Sequence, residues 1–414
     1  MPSLRKVAVI GAGAAGCFCA IELKRLRPEL EVTLYEAGRV PLAKVSVTGG
    51  GRCNLTNSFE DITRLEDVYP RGARLMRRSL GNFSHEHTMR WFEKQGVRLV
   101  VQSDGCVFPA SQDAMQIVRT LERLMRTLGV TVICGVRVEG VRRTDDGRWE
   151  FTAGARVRET ADAVIVTAGG STRSSLDRMF AGLDLDIADP VPSLFTFKIA
   201  EESLRALMGT VVENVVMGIC STTFRSSGTL LVTDWGLSGP ATLRLSSYAA
   251  RYLAENKYAA PLSINWLSSS ESDVRGLLST ALSDNPRKMV AGSAAITGGA
   301  LTDRLWRYLV SRAGIRPDCR WGELGQKGCN RLVSVLTADQ YRIEGRARFK
   351  EEFVTCGGVA LSNIDINTLA SRRFPGLFFA GEVLDIDAVT GGFNLQAAWS
   401  TGILAARSTD AFLR

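Results

Sequence analysis

The residues best placed to do chemistry stand at the start of the chain, where residues 6–16 read KVAVIGAGAAG and Glu36 follows twenty residues after Gly16. The apolar run at 7–10 predicts a buried strand, the pattern over 18–26 a helix, and 31–35 a second strand with Glu36 at its carboxyl end. In that setting Gly11 permits a tight turn, Gly13 lets a pyrophosphate approach the backbone, and Gly16 lets helix and strand pack closely. The helix start offers N–H groups and a positive dipole end to phosphates. Glu36 can accept hydrogen bonds from a ribose hydroxyl and disfavours a 2′-phosphate. Three glycines alone would mark only a turn. Strand, helix, second strand and acid together predict a dinucleotide site.

A second glycine cluster follows. Residues 41–57 carry Gly49, Gly50 and Gly51 beside Lys44, Arg52, Asn54 and Asn57. Such material suits neither helix nor strand, and predicts a loop that lies against a ligand and offers it backbone N–H groups. Residues 161–170 predict a buried strand ending in small residues, and 376–385 a strand plus loop. Residues 390–396 then open a last helix whose apolar face is Leu395, Ala398, Trp399, Gly402, Ile403 and Ala406.

These motifs need a scaffold, and composition bounds it. At 414 residues, 45% hydrophobic and 23% charged, the chain is expected to form a soluble globular protein of two or three domains. No apolar run nears the ~18 residues of a membrane span. The opening residues run directly into the first strand, so no secretory leader and a cytoplasmic location are expected. Nine cysteines without regular spacing predict reduced thiols. The net charge of +8 is largely arginine. Arg64, Arg71, Arg74, Arg77 and Arg78 are expected on a solvated face able to steer anions.

Residues 60–100 predict helices and 104–109 a turn. Ser111 is expected to cap a helix to 128, with Met115, Val118, Leu121, Leu124, Met125 and Leu128 as its apolar face. Residues 130–134, 137–143 and 149–152 predict a strand and a small meander turning at 145–147. A boundary falls at 190–192. Residues 193–266 predict strands, 270–325 helices interrupted by Gly298 and Gly299, and 331–349 strand-like alternation.

Several chemistries are not expected. There is no second Gly-x-Gly-x-x-Gly for a resident nicotinamide, and no Cys-x-x-Cys for disulfide reduction. His85 and His87 would point apart on a helix, so no metal site is expected. Ser238 lacks Gly-x-Ser-x-Gly spacing and is read as part of a turn. Cys53 is read as a packing thiol.

Four stretches match one family in order: residues 11–16 with Glu36, KVSVTGGGRCNLTN at 44–57, DWGLSGP at 234–240, and residues 356–402 with GEVLDIDAVTGGFNLQ. Together they resemble the bacterial BaiN/YhiN-type NAD(P)/FAD-dependent oxidoreductases (the aminoacetone oxidase family) of the glutathione-reductase-like FAD superfamily. Thr48 and Cys356 depart mildly from that pattern, which usually has Ser and a small residue there. The resemblance implies an α/β fold: a Rossmann-like FAD-binding domain (βαβ plus β-meander), a β-barrel-like insertion and a small helical subdomain. The expected ranges are 1–190 with 345–414, 191–268 with 326–344, and 269–325.

By position, the resemblance implies that Gly11, Gly13, Ala14, Ala15 and Gly16 hold the pyrophosphate. Glu36 and Ala37 would meet the adenosine ribose, and Val138 the adenine. Ala168 and Gly169 are the small residues after the next strand. Lys44, Gly50, Gly51, Arg52, Cys53 and Asn54 would lie along the ribityl chain or flavin, with Gly381 and Glu382 near the last strand. Gly391, Gly392, Asn394 and Leu395 would bring a helix start to the flavin's pyrimidine end, stabilising negative charge on the reduced ring. The implied activity is hydride transfer between flavin N5 of a tightly, non-covalently held FAD and NAD(P)H, as a transient reductant, or a small organic substrate. The alternatives are an RNA-modifying flavoprotein and a flavin-binding sensor without turnover. A small-molecule substrate is expected, with no nucleic-acid or membrane partner. Catalytic residues and oligomeric state stay open.

Overall fold

The computed structural model describes residues 5–154, 157–347 and 354–414. The chain divides into two units, Met1–Val191 with Val354–Arg414, and Pro192–Phe353.

In the first unit a five-stranded parallel sheet runs in the order Leu377–Phe379, Ala163–Val166, Lys6–Ile10, Glu31–Glu36, Thr131–Cys134. Val7, Val9 and the whole of Ala163–Val166 are buried, as the apolar runs require of strands covered on both faces. Parallel pairing sets Ile10 beside both Tyr35 and Val166, so three strand ends converge on one rim. The antiparallel meander is Val138–Arg143, Trp149–Ala153 and Val157–Ala161. Helix Ala14–Leu26 packs on the C-terminal helix Phe393–Leu413. Phe18 fills that contact, its ring centroid 4.4 Å from Trp91 and 5.0 Å from Trp399.

Several expectations change here. Residues 43–51 are not a plain loop: a helical turn begins at Ala43, and the chain leaves helical angles at Thr48 and at Gly49, Gly50 and Gly51, whose φ values are positive. Cys106–Pro109 is a strand, paired between Thr56–Asn57 and Leu99–Val101, where the glycine at 105 suggested only a turn. Helix Ala114–Leu128 is capped by Asp113, whose carboxylate accepts from the Met115 N–H at 2.8 Å, while Ser111 bonds Gln116. Met115, expected on the apolar face, is exposed.

The second unit holds a closed six-stranded antiparallel barrel, ordered Phe197–Ile199, Gly236–Ser238, Arg225–Val232, Val211–Ile219, Ala260–Asn265, Asp339–Arg346. Ser238 thus belongs to a barrel strand, not a turn. Helices Pro240–Tyr248 and Ala250–Glu255 interrupt the region read as strands. Residues 331–338 belong to helix Gly325–Ala338, and the alternation becomes strand only from Asp339. Residues 348–349 of that reading lie outside the described residues. The unit also holds helices Glu271–Asp284 and Asp303–Arg312. Arg312 ties the last of these to the barrel, donating to Asp339 at 2.5 Å and to Glu201 at 2.6 Å. Among the described residues no helix is long and apolar enough to cross a membrane.

Candidate functional site

The three N-terminal glycines have three different reasons to be bare. Gly11 has φ +108°, its N–H donates to Tyr35 O at 2.8 Å, and a Cβ there would lie 2.4 Å from Thr167 O. A Cβ on Gly16 would lie 2.0 Å from Gly11 O. Gly13 is different: its φ is an ordinary −82° and nothing stands within 4 Å of its Cβ position. The fold itself does not require a glycine at 13. The open space lies before the first turn of Ala14–Leu26, which no side chain caps. Exposed N–H groups beside a void are what a pyrophosphate needs, so these residues fit a dinucleotide.

Glu36 ends the second strand, and its carboxylate accepts from Ala12 N–H at 2.8 Å and Gly38 N–H at 2.7 Å. It lines a cleft together with Gly11, Ala37, Val138 and Ala168. Residues 36, 138 and 168, on separate elements, are thereby gathered at the converging strand ends. The cleft is also lined by Arg137 and by Ser175, Arg178 and Met179 on helix Arg173–Met179. Those residues carry no motif, and the only sequence signal is their nearness to Val138 and Gly169. Gly169, at φ +69°, has open space before it.

A second group forms at the start of the C-terminal helix. Lys44 Nζ lies 3.7 Å from Glu382 Oε2, and Glu382 also accepts from Thr355 N–H at 2.7 Å. Gly381 N–H donates to Thr401 Oγ1 at 2.9 Å, and a Cβ on Gly381 would lie 2.9 Å from Ala15 Cβ. Gly402 meets Ala15 in the same way, with a Cβ placed 2.7 Å from Ala15 O. The start of Ala14–Leu26 therefore meets the Gly381 backbone and the middle of Phe393–Leu413. Gly391 and Gly392 have φ +129° and +88°, and a Cβ on Gly392 would strike Thr56 O at 2.3 Å. No side chain caps this helix either. Leu395 is half-buried in its first turn.

Other expected ligand donors also bond the protein. Arg52 Nε donates to Gly49 O at 3.1 Å and its guanidinium lies over Phe108, 4.5 Å from the ring centroid. Asn54, with its amide turned to satisfy both neighbours, donates to Thr56 O and accepts from Gly392 N–H at 3.2 Å. Asn394 clamps Ala388 by both N–H and C=O, each at 2.9 Å. Gly50 and Gly51, by contrast, have nothing within 4 Å of their Cβ positions. Cys53 is fully buried, and burial pushes its thiol up to about 12; a neutral thiol agrees with a packing role.

Arg71 corrects the reading of the arginine cluster as a solvated face. It is largely buried and grips Asp387 with two hydrogen bonds, Nε to Oδ1 at 2.5 Å and Nη2 to Oδ2. His85 stacks on Phe59 at 4.8 Å, and His87 closes a capping box with Ser84. Among the described residues Cys17, Cys19, Cys53, Cys134, Cys220, Cys319 and Cys329 are free thiols.

A parallel sheet whose strand ends meet an uncapped glycine turn and a cleft lined by Glu36 fits a dinucleotide-binding Rossmann protein. The family model for the HI0933-like protein Rossmann domain matches residues 5–408. The chain belongs to that family, a family of FAD-dependent oxidoreductases. It is 28% identical over 414 residues, 98% of this chain and 99% of the relative, to a 3-dehydro-bile acid delta(4,6)-reductase of Clostridium scindens. It is also 28% identical over 416 residues, 97% and 98% of the two chains, to a ribosomal RNA dihydrouridine synthase of Escherichia coli. Among solved structures, an E. coli quinol fumarate reductase FrdA matches with a TM-score of 0.50 and 14% identity, covering 99% of this chain and 71% of that one. That likeness is one of fold.

Proposed function

We propose that this chain holds FAD tightly and non-covalently in its first unit, accepts reducing equivalents from transiently docked NAD(P)H, and reduces a carbon–carbon double bond conjugated to a carbonyl in a cytoplasmic substrate. The observation that carries the substrate class is chemical. One relative is named for reducing a 3-dehydro-bile acid at delta(4,6) and the other for making dihydrouridine, and both reactions saturate an electron-poor double bond. Bound FAD supplies N5 as the hydride carrier. The chain's part is to bind and orient. Gly11, Gly13, Ala14, Ala15 and Gly16 cradle the pyrophosphate, Glu36 and Ala37 face the ribose, and Val138, Ala168 and Gly169 face the adenosine end. Lys44, Gly50, Gly51, Gly381 and Glu382 lie along the ribityl and flavin portion, and Gly391 and Gly392 aim a helix start at it. Overall, NAD(P)H is oxidised, and the double bond gains one hydride and one solvent-derived proton. The ranges 191–268 with 326–344 and 269–325 are read as an inserted β-rich domain and a helical subdomain.

The test is direct. The purified protein should show oxidised-flavin absorbance, bleach anaerobically with NADH or NADPH, and regain its colour on adding a cyclic enone. Absence of flavin that added FAD cannot restore sinks the reading, and bleaching without any enone-driven recovery reduces it to a sensor. A second reading, with uridine in RNA as the alkene, is favoured by the synthase relative and the +8 charge. It requires RNA binding that weakens steeply with salt and NADPH-dependent loss of uridine absorbance; small enones reduced while RNA is ignored would dismiss it.

A further inference from the structure

The loop between the last strand and the C-terminal helix is held more tightly than a connection requires. Backbone at Arg71 bridges Asp387 in antiparallel fashion. Gly72 makes room for Ile386, since a Cβ there would lie 2.8 Å from that side chain. Val389 N–H donates to Val68 O at 2.9 Å, Asn57 Nδ2 donates to Gly391 O at 3.1 Å, and Tyr69 OH donates to Phe393 O at 2.9 Å. At the centre stands the Arg71–Asp387 pair, its carboxylate wholly buried and its guanidinium 15% exposed. A buried ion pair is a poor way to gain stability, because desolvation offsets the attraction. A two-pronged arginine–carboxylate contact does fix orientation.

We infer that Arg71 and Asp387 are a positioning pair for the flavin: the pair locks residues 386–392 so that the uncapped start of Phe393–Leu413 stays aimed at the ring, and Arg71 balances the buried Asp387 charge beside it. The inference rests on the FAD reading above. Asp385 also attracts Arg71 and stays in place in the test variants. Screening is weak for buried charges, so each lost charge registers at the ring. Asp387→Asn leaves Arg71 in excess and favours the anionic reduced flavin, while Arg71→Gln does the reverse.

The experiment measures FAD dissociation and the flavin midpoint potential of purified holoprotein. Arg71→Lys, which keeps the charge but loses the fork, should weaken FAD retention about tenfold with the potential unmoved. Asp387→Asn should raise the potential, Arg71→Gln should lower it, and the double variant should return towards wild type. Shifts of the same sign in both single variants, or none, overturn the inference. If the single neutral variants do not fold, Arg71→Lys decides: wild-type retention, or failure to fold, assigns the pair to folding alone. A wild-type protein without flavin would instead strike at the FAD reading itself.

Discussion

Gly13 and Gly16 occupy equivalent-looking places in one motif and answer to different demands. Gly16→Ala drives a Cβ to 2.0 Å from Gly11 O and should cost about 3 kcal/mol in urea unfolding. Gly13→Ala has free space and an ordinary backbone angle. Stability of the flavin-free protein should change by no more than about 1 kcal/mol, while FAD retention falls because the methyl group occupies the pyrophosphate's place. His85 yields a pH prediction. Burial lowers its pKa, against smaller upward pulls from Glu86 and Glu60. The unfolded chain then binds more protons at and just below about pH 6.5. Stability contributed by neutral His85 is present above that pH and lost as pH falls through the folded value. His85→Phe, which keeps the stack on Phe59, should flatten the decline in urea midpoint on acidification; an unchanged slope refutes it.

At the scale of elements, the C-terminal helix shows both what spacing reveals and what it hides. Its apolar positions are legible from their period, yet Gln396, Ser400 and Thr401 on the remaining faces are buried too. Gln396 accepts from Thr56 Oγ1 at 2.6 Å and donates to Ser400 at 2.8 Å, and Ser400 donates to Phe83 O at 2.7 Å. Gln396→Leu should therefore cost about 1–3 kcal/mol by leaving the Thr56 hydroxyl underbonded, measured by chemical denaturation. The helices missed at 240–255 had a signal, a glycine at 239 before Pro240 in the first turn. The alternation over 331–338 misled because a helix with one buried stripe, Leu332, Val333 and Leu336, mimics a strand over so short a window.

At the scale of the whole molecule, the second unit has its own core and its own latch. Asp339, 3% exposed, accepts from Trp266 Nε1 at 3.0 Å, Tyr341 OH at 2.6 Å and Arg312. Arg312→Met strands that carboxylate without its cation and should cost about 3–5 kcal/mol. Far-UV circular dichroism should show earlier melting of this unit while flavin absorbance persists; simultaneous flavin loss would contradict the placing of FAD in the first unit.

The sequence by itself determined the nucleotide turn, the acid that follows it, the two glycine clusters and the class of fold. Those depend on φ angles, short spacings and hydrophobic period, which are local properties. Only the tertiary structure decided what those residues face. It set Ala15 against Gly381 and Gly402 and gave Arg52 and Asn54 partners within the protein. It also drew Arg71 from an expected solvated face onto Asp387, 316 positions away. Contacts across such separations come from the packing of whole elements, and no local spacing encodes them.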